Sequence, residues 1–341
     1  MASVTRRVGP NGPSVNALSY GMMSLGHAYG HAGDTPTRLG VLDNLYEAGI
    51  RTWDAADRYG DIEDLIGQWL SNNAEKRKDI FLATKVGILP DRTLRSDPEY
   101  VKQACTACME RLKTNYIDLL YIQRVDQKTP IEKTMQAMVE LKKEGKICAI
   151  GLSEVSARTL RRACKIDQVD ALQTEYSPFT LDVEVAQPEE KSILETCKEL
   201  GITVFAYSPL GRGFLTGSIK SAAEIKDARS MYPFFADEAF EKNMEIVHAI
   251  ADVTKQVQKT QPRATQAQVV LAWLLRQWEG VIPLFGTRSI ERARENVAAV
   301  NIRLTAEEDE AIRRAAESLK KVGDRYPGVF LSMINADTPE L

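Results

Sequence analysis

The sequence is poor in the residues with which proteins most often bind metals or form crosslinks. Its 341 residues include three histidines and five cysteines. His27 and His31 are four residues apart, but they lie in a glycine-rich segment rather than on a predicted helix, so we expect no metal site. The cysteines are dispersed and odd in number, and a chain of this length can bury a large core without disulfide or metal crosslinks.

One pair of cysteines, Cys105 and Cys108, has the C-x-x-C spacing that can indicate redox chemistry. Both residues fall on the same stripe of a predicted helix as Val101 and Leu112. We therefore interpret the two thiols as small buried apolar groups rather than as a redox centre.

The sequence also lacks an excess of charge and long apolar segments. Lysine and arginine number 44 against 47 aspartates and glutamates, a formal net charge of -3. Without a basic stripe, nucleic acid and anionic membrane surfaces are not expected partners. The N terminus has no apolar targeting core, and uncharged apolar runs such as 269–275 are too short to span a bilayer. We expect a cytoplasmic protein, and the sequence leaves its oligomeric state open.

The sequence does contain a regular alternation of short apolar runs and amphipathic segments. A turn-rich stretch at 6–13 predicts a terminal hairpin. Thr35-Pro36, Asp97-Pro98 and Thr129-Pro130 each predict a helix start, an N-cap acceptor followed by proline at the first helical position. Gly49, Gly145 and Gly201 predict helix ends. Strands are predicted at residues 17–22, 50–54, 80–85, 117–122, 148–152, 170–174, 202–207 and 281–285.

Eight strands followed by helices predict an α/β fold, a (β/α)8 TIM barrel with an N-terminal hairpin. The strands are apolar on both faces, as expected between a barrel interior and a ring of helices. A long insertion at 208–263, with a helix at about 237–258, follows the seventh strand and is long enough to be a functional lid. A capping box at 305–308 predicts an extra C-terminal helix, running to about Lys321 and followed by an irregular tail.

The residues best suited to chemistry lie where predicted strands end, and in a parallel barrel all these ends open onto one face. Asp54 ends the second strand, Tyr59 lies in the connection after it, and Lys85 ends the third. An ammonium lowers a phenol pKa that is otherwise about 10, and a carboxylate keeps the lysine charged. The three residues predict a general acid for an oxygen that develops negative charge.

Two later segments have features of phosphate-binding sites. The glycine-rich run 207–217 follows a strand and could let backbone amides approach a pyrophosphate, although its spacing is not that of a Rossmann fingerprint. The last strand leads at 286–296 into a helix N-terminus, a favourable place for an anion. Arg288 and Arg292 lie on one side of that first turn. An alternative reading, with Lys85 as the nucleophile of a Schiff-base lyase, gives no reason for these two segments.

Taken in order, these segments resemble motifs of the aldo-keto reductase superfamily over nearly the whole chain. Residues 54–60 resemble its aspartate-to-tyrosine motif and residues 83–85 its lysine motif, while the cofactor-site motifs are matched by 151–154, 173–177, 206–211 and 286–296. Two further runs, 138–146 and 211–217, are most similar to the microbial and fungal YakC-like branch. The resemblance implies one barrel domain over 1–341, dissociable NADP(H), and reversible reduction of an aldehyde or ketone, a small-molecule carbonyl substrate, to the alcohol.

The resemblance also implies a role for each matching residue. Tyr59 would donate the proton, with Lys85 and Asp54 tuning its pKa. The remaining residues would bind the cofactor: Ser153 and Gln173 at the carboxamide, Tyr207 stacked on the nicotinamide, Met22 and Met23 near its ribose, Ser208, Leu210, Gly211, Arg212 and Gly213 around the pyrophosphate, Gly286 at the helix start, Arg288 and Arg292 at the 2′-phosphate, and Glu295 and Asn296 at the adenine.

One position departs from the family pattern. Gln123 stands where the family has its catalytic histidine. Glutamine can donate a hydrogen bond to a carbonyl oxygen but cannot titrate. A second function therefore stays open beside carbonyl reduction, that of a catalytically weak NADP(H)-binding regulatory subunit. The sequence does not identify the substrate, because the insertion, the segment around His27 and the tail after Val322 would shape that pocket and match no known pattern.

Overall fold

The computed structural model describes residues 4–188 and 190–341, and it begins with the predicted hairpin. Strands β1 (Thr5–Arg7) and β2 (Ser14–Asn16) pair antiparallel. Val8 and Val15 of this hairpin are buried in one apolar cluster with Phe81 and Leu119, from strands of the barrel. The hairpin therefore closes the end of the barrel at which the strands begin.

The next eight strands form a closed parallel barrel in which the last strand pairs with the first. This confirms the predicted (β/α)8 architecture. The strands are β3 (Ser19–Gly21), β4 (Thr52–Asp54), β5 (Phe81–Val86), β6 (Ile117–Ile122), β7 (Ile147–Ser153), β8 (Ala171–Glu175), β9 (Thr203–Tyr207) and β10 (Val281–Phe285).

Helices follow the strands and cover the outside of the barrel. In chain order they are α1 (Thr35–Glu47), α2 (Ile62–Asn72), α3 (Pro98–Leu112), α4 (Ile131–Lys143), α5 (Ala157–Cys164), α6 (Ile193–Leu200), α7 (Asp237–Val257), α8 (Gln266–Gln277), α9 (Ile290–Val297), α10 (Ala306–Ser318) and α11 (Gly328–Leu331). Cys105 and Cys108 are fully buried in the core on α3. Burial raises the pKa of the Cys105 thiol to about 11, which supports the interpretation of both cysteines as apolar core residues.

The helix ends follow the predicted signals with two corrections. Asp97 caps α3 as predicted, accepting a hydrogen bond from Tyr100 N at 3.1 Å. Helix α1 is capped by Asp34 instead of Thr35, because the Asp34 carboxylate reaches Thr37 N at 3.0 Å. Pro130 is itself the residue before α4 and lacks a side-chain cap, so the predicted start there is one residue early.

The interior of the barrel depends on a glycine that leaves room for an aromatic ring. Tyr121 on β6 is fully buried inside the barrel beside Gly151 on β7. A Cβ atom at Gly151 would lie 2.3 Å from Cδ1 of Tyr121, far inside van der Waals contact. Because Gly151 has no side chain, the ring of Tyr121 can fill the barrel interior without strain.

The insertion between β9 and α8 is packed against the rest of the protein through aromatic side chains. Phe214 and Phe240 lie with ring centroids 5.2 Å apart, and Phe214 is also 5.2 Å from Phe179. The helix predicted at about 237–258 is α7. Part of the insertion faces the open end of the barrel, where the strands finish.

The C-terminal segment after α10 crosses the same open end. It is ordered against β7: Ala336 N donates to Glu154 O at 3.0 Å, and Ser156 N donates to Ala336 O at 3.1 Å. Helix α10 ends at Ser318, a little before the predicted end, and the tail contains the short α11. No helix in the described part of the chain is long and apolar enough to cross a membrane.

Candidate active site

A cavity of about 1090 Å³ opens at the carboxyl ends of the barrel strands. Its volume is at the upper end of the roughly 300–1,000 Å³ range of ligand pockets. Strand ends, the insertion, the start of α9 and the C-terminal tail all contribute to its wall. Among the predicted site residues it is lined by Met23, Asp54, Tyr59, Lys85, Gln123, Ser153, Gln173, Tyr207, Ser208, Leu210, Arg212, Gly213, Gly286, Arg288, Arg292, Glu295 and Asn296.

Two predicted site residues lie outside this wall. Met22 is fully buried in the hydrophobic core, because the chain leaves β3 with Met22 turned inward and Met23 turned toward the cavity. Gly211 is also buried, and the space beside its Cα is taken by Leu215 and Phe214. Neither residue lines the cavity, and the predicted places of Met22 near the nicotinamide ribose and of Gly211 around the pyrophosphate stay predictions.

Asp54 and Lys85 form a buried ion pair at the floor of the cavity. Lys85 Nζ donates to Asp54 Oδ1 at 2.5 Å and to Ala55 O at 2.7 Å. Gln173 Nε2 donates to the other oxygen of Asp54 at 2.8 Å. The same Lys85 Nζ lies 4.8 Å from the centroid of the Tyr59 ring. The structure thus brings together the carboxylate of Asp54 from the end of β4, the ammonium of Lys85 from the end of β5 and the phenol of Tyr59 from the connection after β4.

The surroundings keep Lys85 charged and Tyr59 protonated. Burial lowers the pKa of Lys85, but the Asp54 carboxylate and Tyr59 together raise it by more than burial lowers it. The pKa of Lys85 therefore lies above its ordinary value. Burial raises the pKa of Tyr59, and the Lys85 ammonium offsets only part of that rise. The predicted lowering of the phenol pKa below its usual range is therefore wrong for this state, since desolvation of the phenolate outweighs the nearby cation.

A charged Lys85 is poorly placed to act as a nucleophile. A Schiff base requires the free amine with an available lone pair. The ammonium here donates to two acceptors and pairs with a carboxylate at 2.5 Å. The geometry suits a charged neighbour of Tyr59 and does not favour the lyase alternative.

Gln123 follows β6 and is half-buried in the cavity wall. Its backbone N donates to Val86 O at 2.7 Å, which fixes the residue to the end of β5. Its side-chain Oε1 is buried and has no hydrogen-bond partner among the residues that the structure describes. An unsatisfied buried acceptor costs about 1–3 kcal/mol, so a ligand group that pairs with this amide would be stabilised. Rotation about the last side-chain bond can present either the amide oxygen or the N–H₂ group.

A buried ionic network lies beside these residues, and one predicted cofactor residue belongs to it. Arg212 pairs with Glu175 at 2.8 Å and stacks 4.1 Å above the ring of Tyr232. Its guanidinium is therefore engaged by the protein, and the prediction that Arg212 lies around a pyrophosphate stays a prediction. Arg325 in the tail pairs with Glu154 at 2.7 Å and with Glu175 at 3.2 Å.

The network holds Tyr207, the aromatic residue at the end of β9. The Tyr207 hydroxyl donates to Glu154 Oε1 at 2.8 Å and lies 2.9 Å from the hydroxyl of Tyr326. Sequence reasoning missed Glu154, Glu175, Arg325 and Tyr326. Two carboxylates at the ends of apolar strands were an available signal for the first pair. Nothing local in the sequence indicates that the tail returns to them.

The loop after β9 is curled by left-handed backbone conformations. Positive φ angles occur at Ser208 (50°), Arg212 (56°) and Gly213 (95°). Ser208 and Arg212 are not glycines, so the loop carries backbone strain, which is concentrated at functional sites in many proteins. Four of the predicted residues of this loop, Ser208, Leu210, Arg212 and Gly213, line the cavity.

The start of α9 forms another part of the cavity wall. Ser289 caps the helix by accepting from Arg292 N at 3.2 Å, and the Arg292 side chain is exposed. Arg288 Nη1 donates to His31 O at 2.8 Å, so one of its donors is already used. Glu295 accepts from the Thr265 hydroxyl at 2.6 Å, and Asn296 is buried beside it. No group of three metal-ligating side chains occurs within 4–188 and 190–341.

Comparison with known proteins relates the sequence to one family. The family model described as "Aldo/keto reductase family" matches residues 17–317. The aldo-keto reductase str7 of Strobilurus tenacellus is 44% identical over 344 residues, covering 99% of this chain and 98% of that protein. The aldo-keto reductase yakc [NADP(+)] of Schizosaccharomyces pombe is 37% identical over 350 residues, covering 100% of this chain and 99% of that protein.

Solved structures show the same architecture. A thermostable aldo-keto reductase in complex with the inhibitor epalrestat superposes with a TM-score of 0.73 at 25% identity, over 92% of this chain and 99% of that one. The glycerol dehydrogenase of Gluconobacter oxydans has the same fold, with a TM-score of 0.79 at 24% identity over 95% of this chain and 98% of that one.

Proposed function

The chain belongs to the aldo/keto reductase family of oxidoreductases, and we propose that it reduces an aldehyde or ketone to the alcohol with NADPH and a proton from Tyr59. The observation that carries this proposal is the buried Asp54–Lys85 pair, 2.5 Å apart, next to the Tyr59 ring on the cavity floor. That arrangement supplies a protonated acid held beside a fixed cation. Such a pair is suited to protonating an oxygen that gains charge.

The cavity fits a dinucleotide. Ser24 Oγ lines the cavity and is buried without a partner among the described residues, so it is available to a ligand. A Cβ at Gly286 would lie 3.2 Å from Gly21 O and 3.9 Å from Ser24 Oγ, so the absence of a side chain at Gly286 leaves the space beside this hydroxyl free. The curled backbone of 208–213 would hold the pyrophosphate, and the side chains of Arg288 and Arg292 would hold the 2′-phosphate. The name of the yeast relative supports NADP(H) as the cofactor.

The nicotinamide end would lie against Ser153, Gln173 and Tyr207. When bound there, NADPH supplies the hydride. Tyr59 gives its proton to the carbonyl oxygen, and the Lys85 ammonium stabilises the phenolate that remains. Asp54 keeps that ammonium charged and directed, and Gln173 holds Asp54 by its second oxygen. Gln123 would donate one hydrogen bond to the substrate oxygen and so orient the carbonyl.

Consumption of NADPH with a panel of aromatic, sugar, quinone and pyridoxal-type carbonyls tests the proposal. We expect Tyr59→Phe to bind NADPH as the wild type does and to lose most of its carbonyl reduction, because only the proton donor is removed. Lys85→Met should behave in the same way. Full activity of Tyr59→Phe would contradict the assignment, as would a borohydride-trapped substrate adduct on Lys85.

Gln123 favours a second candidate function, a nucleotide-binding regulatory subunit. The residue in the histidine position cannot titrate, and its amide oxygen is unpaired in the described structure. The same panel separates the two functions. A protein that binds NADPH tightly but consumes none of it with any carbonyl would favour regulation over catalysis.

A further inference from the structure

Arg124 is a cation of the cavity wall to which the proposed function assigns no role. It directly follows Gln123, and its Nη1 donates to Gln123 O at 2.6 Å and to Ser153 Oγ at 3.1 Å. Within 4–188 and 190–341, its Nε and Nη2 groups make no hydrogen bond and no carboxylate forms a salt bridge with it. Guanidinium nitrogens therefore remain available to a ligand beside the residues proposed to hold the reacting carbonyl.

The neighbouring buried charges are all paired. Lys85 pairs with Asp54, Arg212 with Glu175, and Arg325 with Glu154. Burial acts to lower the pKa of Arg124, but the nearby Tyr207 and Glu154 raise it above its usual value, so the guanidinium stays charged. A charge that is half-buried and has no anionic partner is partly desolvated, and an anionic ligand would compensate it.

The carboxylates that line the cavity are already engaged. Asp54 is paired with Lys85, Asp227 with Arg229 at 2.8 Å, and Glu295 accepts from Thr265 at 2.6 Å. Two further exposed arginines, Arg58 and Arg92, line the same cavity. The unpaired charge facing the cavity is therefore positive, in addition to the two arginines proposed for the cofactor phosphate.

The cavity wall also contains apolar and aromatic residues. The segment after β5 contributes Leu89 and Pro90, and the C-terminal tail contributes Phe330, Met333 and Ile334. These residues offer an apolar surface to the body of a bound molecule. The tail and the loop after β5 thus give the cavity an apolar surface in addition to the Arg124 guanidinium.

We propose that Arg124 recognises an anionic group, a carboxylate or a phosphate, on a carbonyl substrate whose body is apolar or aromatic. This inference rests on the proposed function and names the substrate class of the same site. A guanidinium presents parallel N–H donors that match two oxygens of either anion. Arg124 is then a specificity residue, and the reacting carbonyl lies at Tyr59 and Gln123.

A matched pair of aldehydes tests the proposal. We expect the wild type to prefer 4-formylbenzoate over its methyl ester, and Arg124→Gln to reduce this preference, the ratio of the two kcat/KM values, by about 10- to 100-fold. Arg124→Lys keeps the charge and should recover part of the preference. The control Arg314→Gln, an exposed arginine of α10 outside the cavity, should keep the wild-type ratio. Substituting 4-formylphenyl phosphate for the carboxylate distinguishes the two anions.

Three outcomes would contradict the inference: equal rates for the anion and the ester in the wild type, an equal loss on both in Arg124→Gln, or a loss that comes entirely from weaker NADPH binding. A binding measurement separates this inference from the proposed function. Calorimetry with 4-formylbenzoate and NADP(+), a pair in which the cofactor has no hydride to give to the carbonyl, requires no turnover. Binding that is lost in Arg124→Gln supports the anion site even if no carbonyl is reduced, and absence of binding to the wild type overturns it.

Discussion

At the scale of single residues, Gln123 most directly decides how the chemistry proceeds. If it orients the substrate by one hydrogen bond, Gln123→Ala should lose about 10- to 100-fold in kcat/KM, the effect of one bond to an oxygen gaining charge. Gln123→His should restore or raise the activity, because an imidazole of similar reach can donate the same bond. Steady-state kinetics of the two variants beside the wild type provide the measurement.

The other outcomes at this position are also informative. Two equally inert variants of an inert wild type would favour the regulatory function. An active wild type with a much slower Gln123→His would mean that the pocket is built around the amide. The proposed transfer of the family mechanism to Gln123 would then be wrong.

A second residue of interest, Asp57, makes the stability depend on pH. Burial, with the Glu63 carboxylate nearby, raises the pKa of Asp57 to about 7, and its Oδ1 has no partner in the described structure. Between about pH 4 and this value the unfolded carboxyl is ionised while the folded one is protonated, so stability falls as the pH rises. Above about pH 7 the carboxyl is ionised in both states, and the whole destabilising effect of burying the charged Asp57 is present.

Replacement of Asp57 by asparagine should therefore stabilise the protein at alkaline pH. We expect Asp57→Asn to raise the free energy of unfolding by about 2 kcal/mol at pH 8.5, with the gain vanishing near pH 4. Urea unfolding at several pH values measures this. A stability gain that is independent of pH would show that packing, and not ionisation, is responsible.

At the scale of elements, the first turn of α9 should decide the choice of cofactor. Two arginines there would each make a charge-assisted bond to the 2′-phosphate worth about 1.5–3 kcal/mol. The Arg288→Ala/Arg292→Ala double variant should therefore bind NADPH at least about a hundredfold more weakly. Fluorescence titration with NADPH measures the loss, and NADH, which lacks this phosphate, is the control and should bind almost unchanged.

Arg288 also donates a hydrogen bond to His31 O, so one of its nitrogens is already engaged before a cofactor binds. The same guanidinium has donors left for a phosphate, and the contact ties α9 to the segment around His31. Equal affinity of the wild type for the two cofactors would contradict the assignment of both arginines. So would an unchanged NADPH affinity in the double variant.

The elements themselves were predictable where the signals are local. Asp97 caps α3 from its own carboxylate, and Gly201 ends α6 with a positive φ of 69°, so both boundaries follow from neighbouring residues. The trio of Asp54, Tyr59 and Lys85 was predictable because parallel strand ends share one face. The partners of individual side chains were not predictable from the sequence. The direction of the Arg212 side chain, for example, depends on Glu175 and Tyr232, which only the fold brings together.

At the scale of the whole molecule, we propose that residues 1–341 form one domain in which the tail completes the site. The tail bridges through Ala336 to Val155, just after β7, and its residues Tyr326, Phe330 and Met333 line the cavity. Contacts between positions 171 residues apart, such as that of Arg325 with Glu154, have no local signature in the sequence. Their role emerges only from the closed barrel, at whose open end the tail meets the residues that follow β7 and end β8.

Arg325 stabilises the position of this tail. Its side chain is about 4% exposed and pairs with Glu154 and Glu175, which are buried to the same degree. Removing one member of such a network leaves charges without partners, at a cost of about 3–5 kcal/mol. We expect Arg325→Met to lower the free energy of unfolding by that amount, and to expose the tail to limited proteolysis after α10.

The double variant Arg325→Met/Glu154→Gln shows whether charge is the cause. Neutralising Glu154 removes the carboxylate that the first substitution leaves with fewer partners, so the double variant should be more stable than Arg325→Met alone. Strictly additive losses in the two variants would mean that Arg325 acts through packing, and an intact tail in Arg325→Met would mean that the contacts of Ala336 are sufficient to hold it.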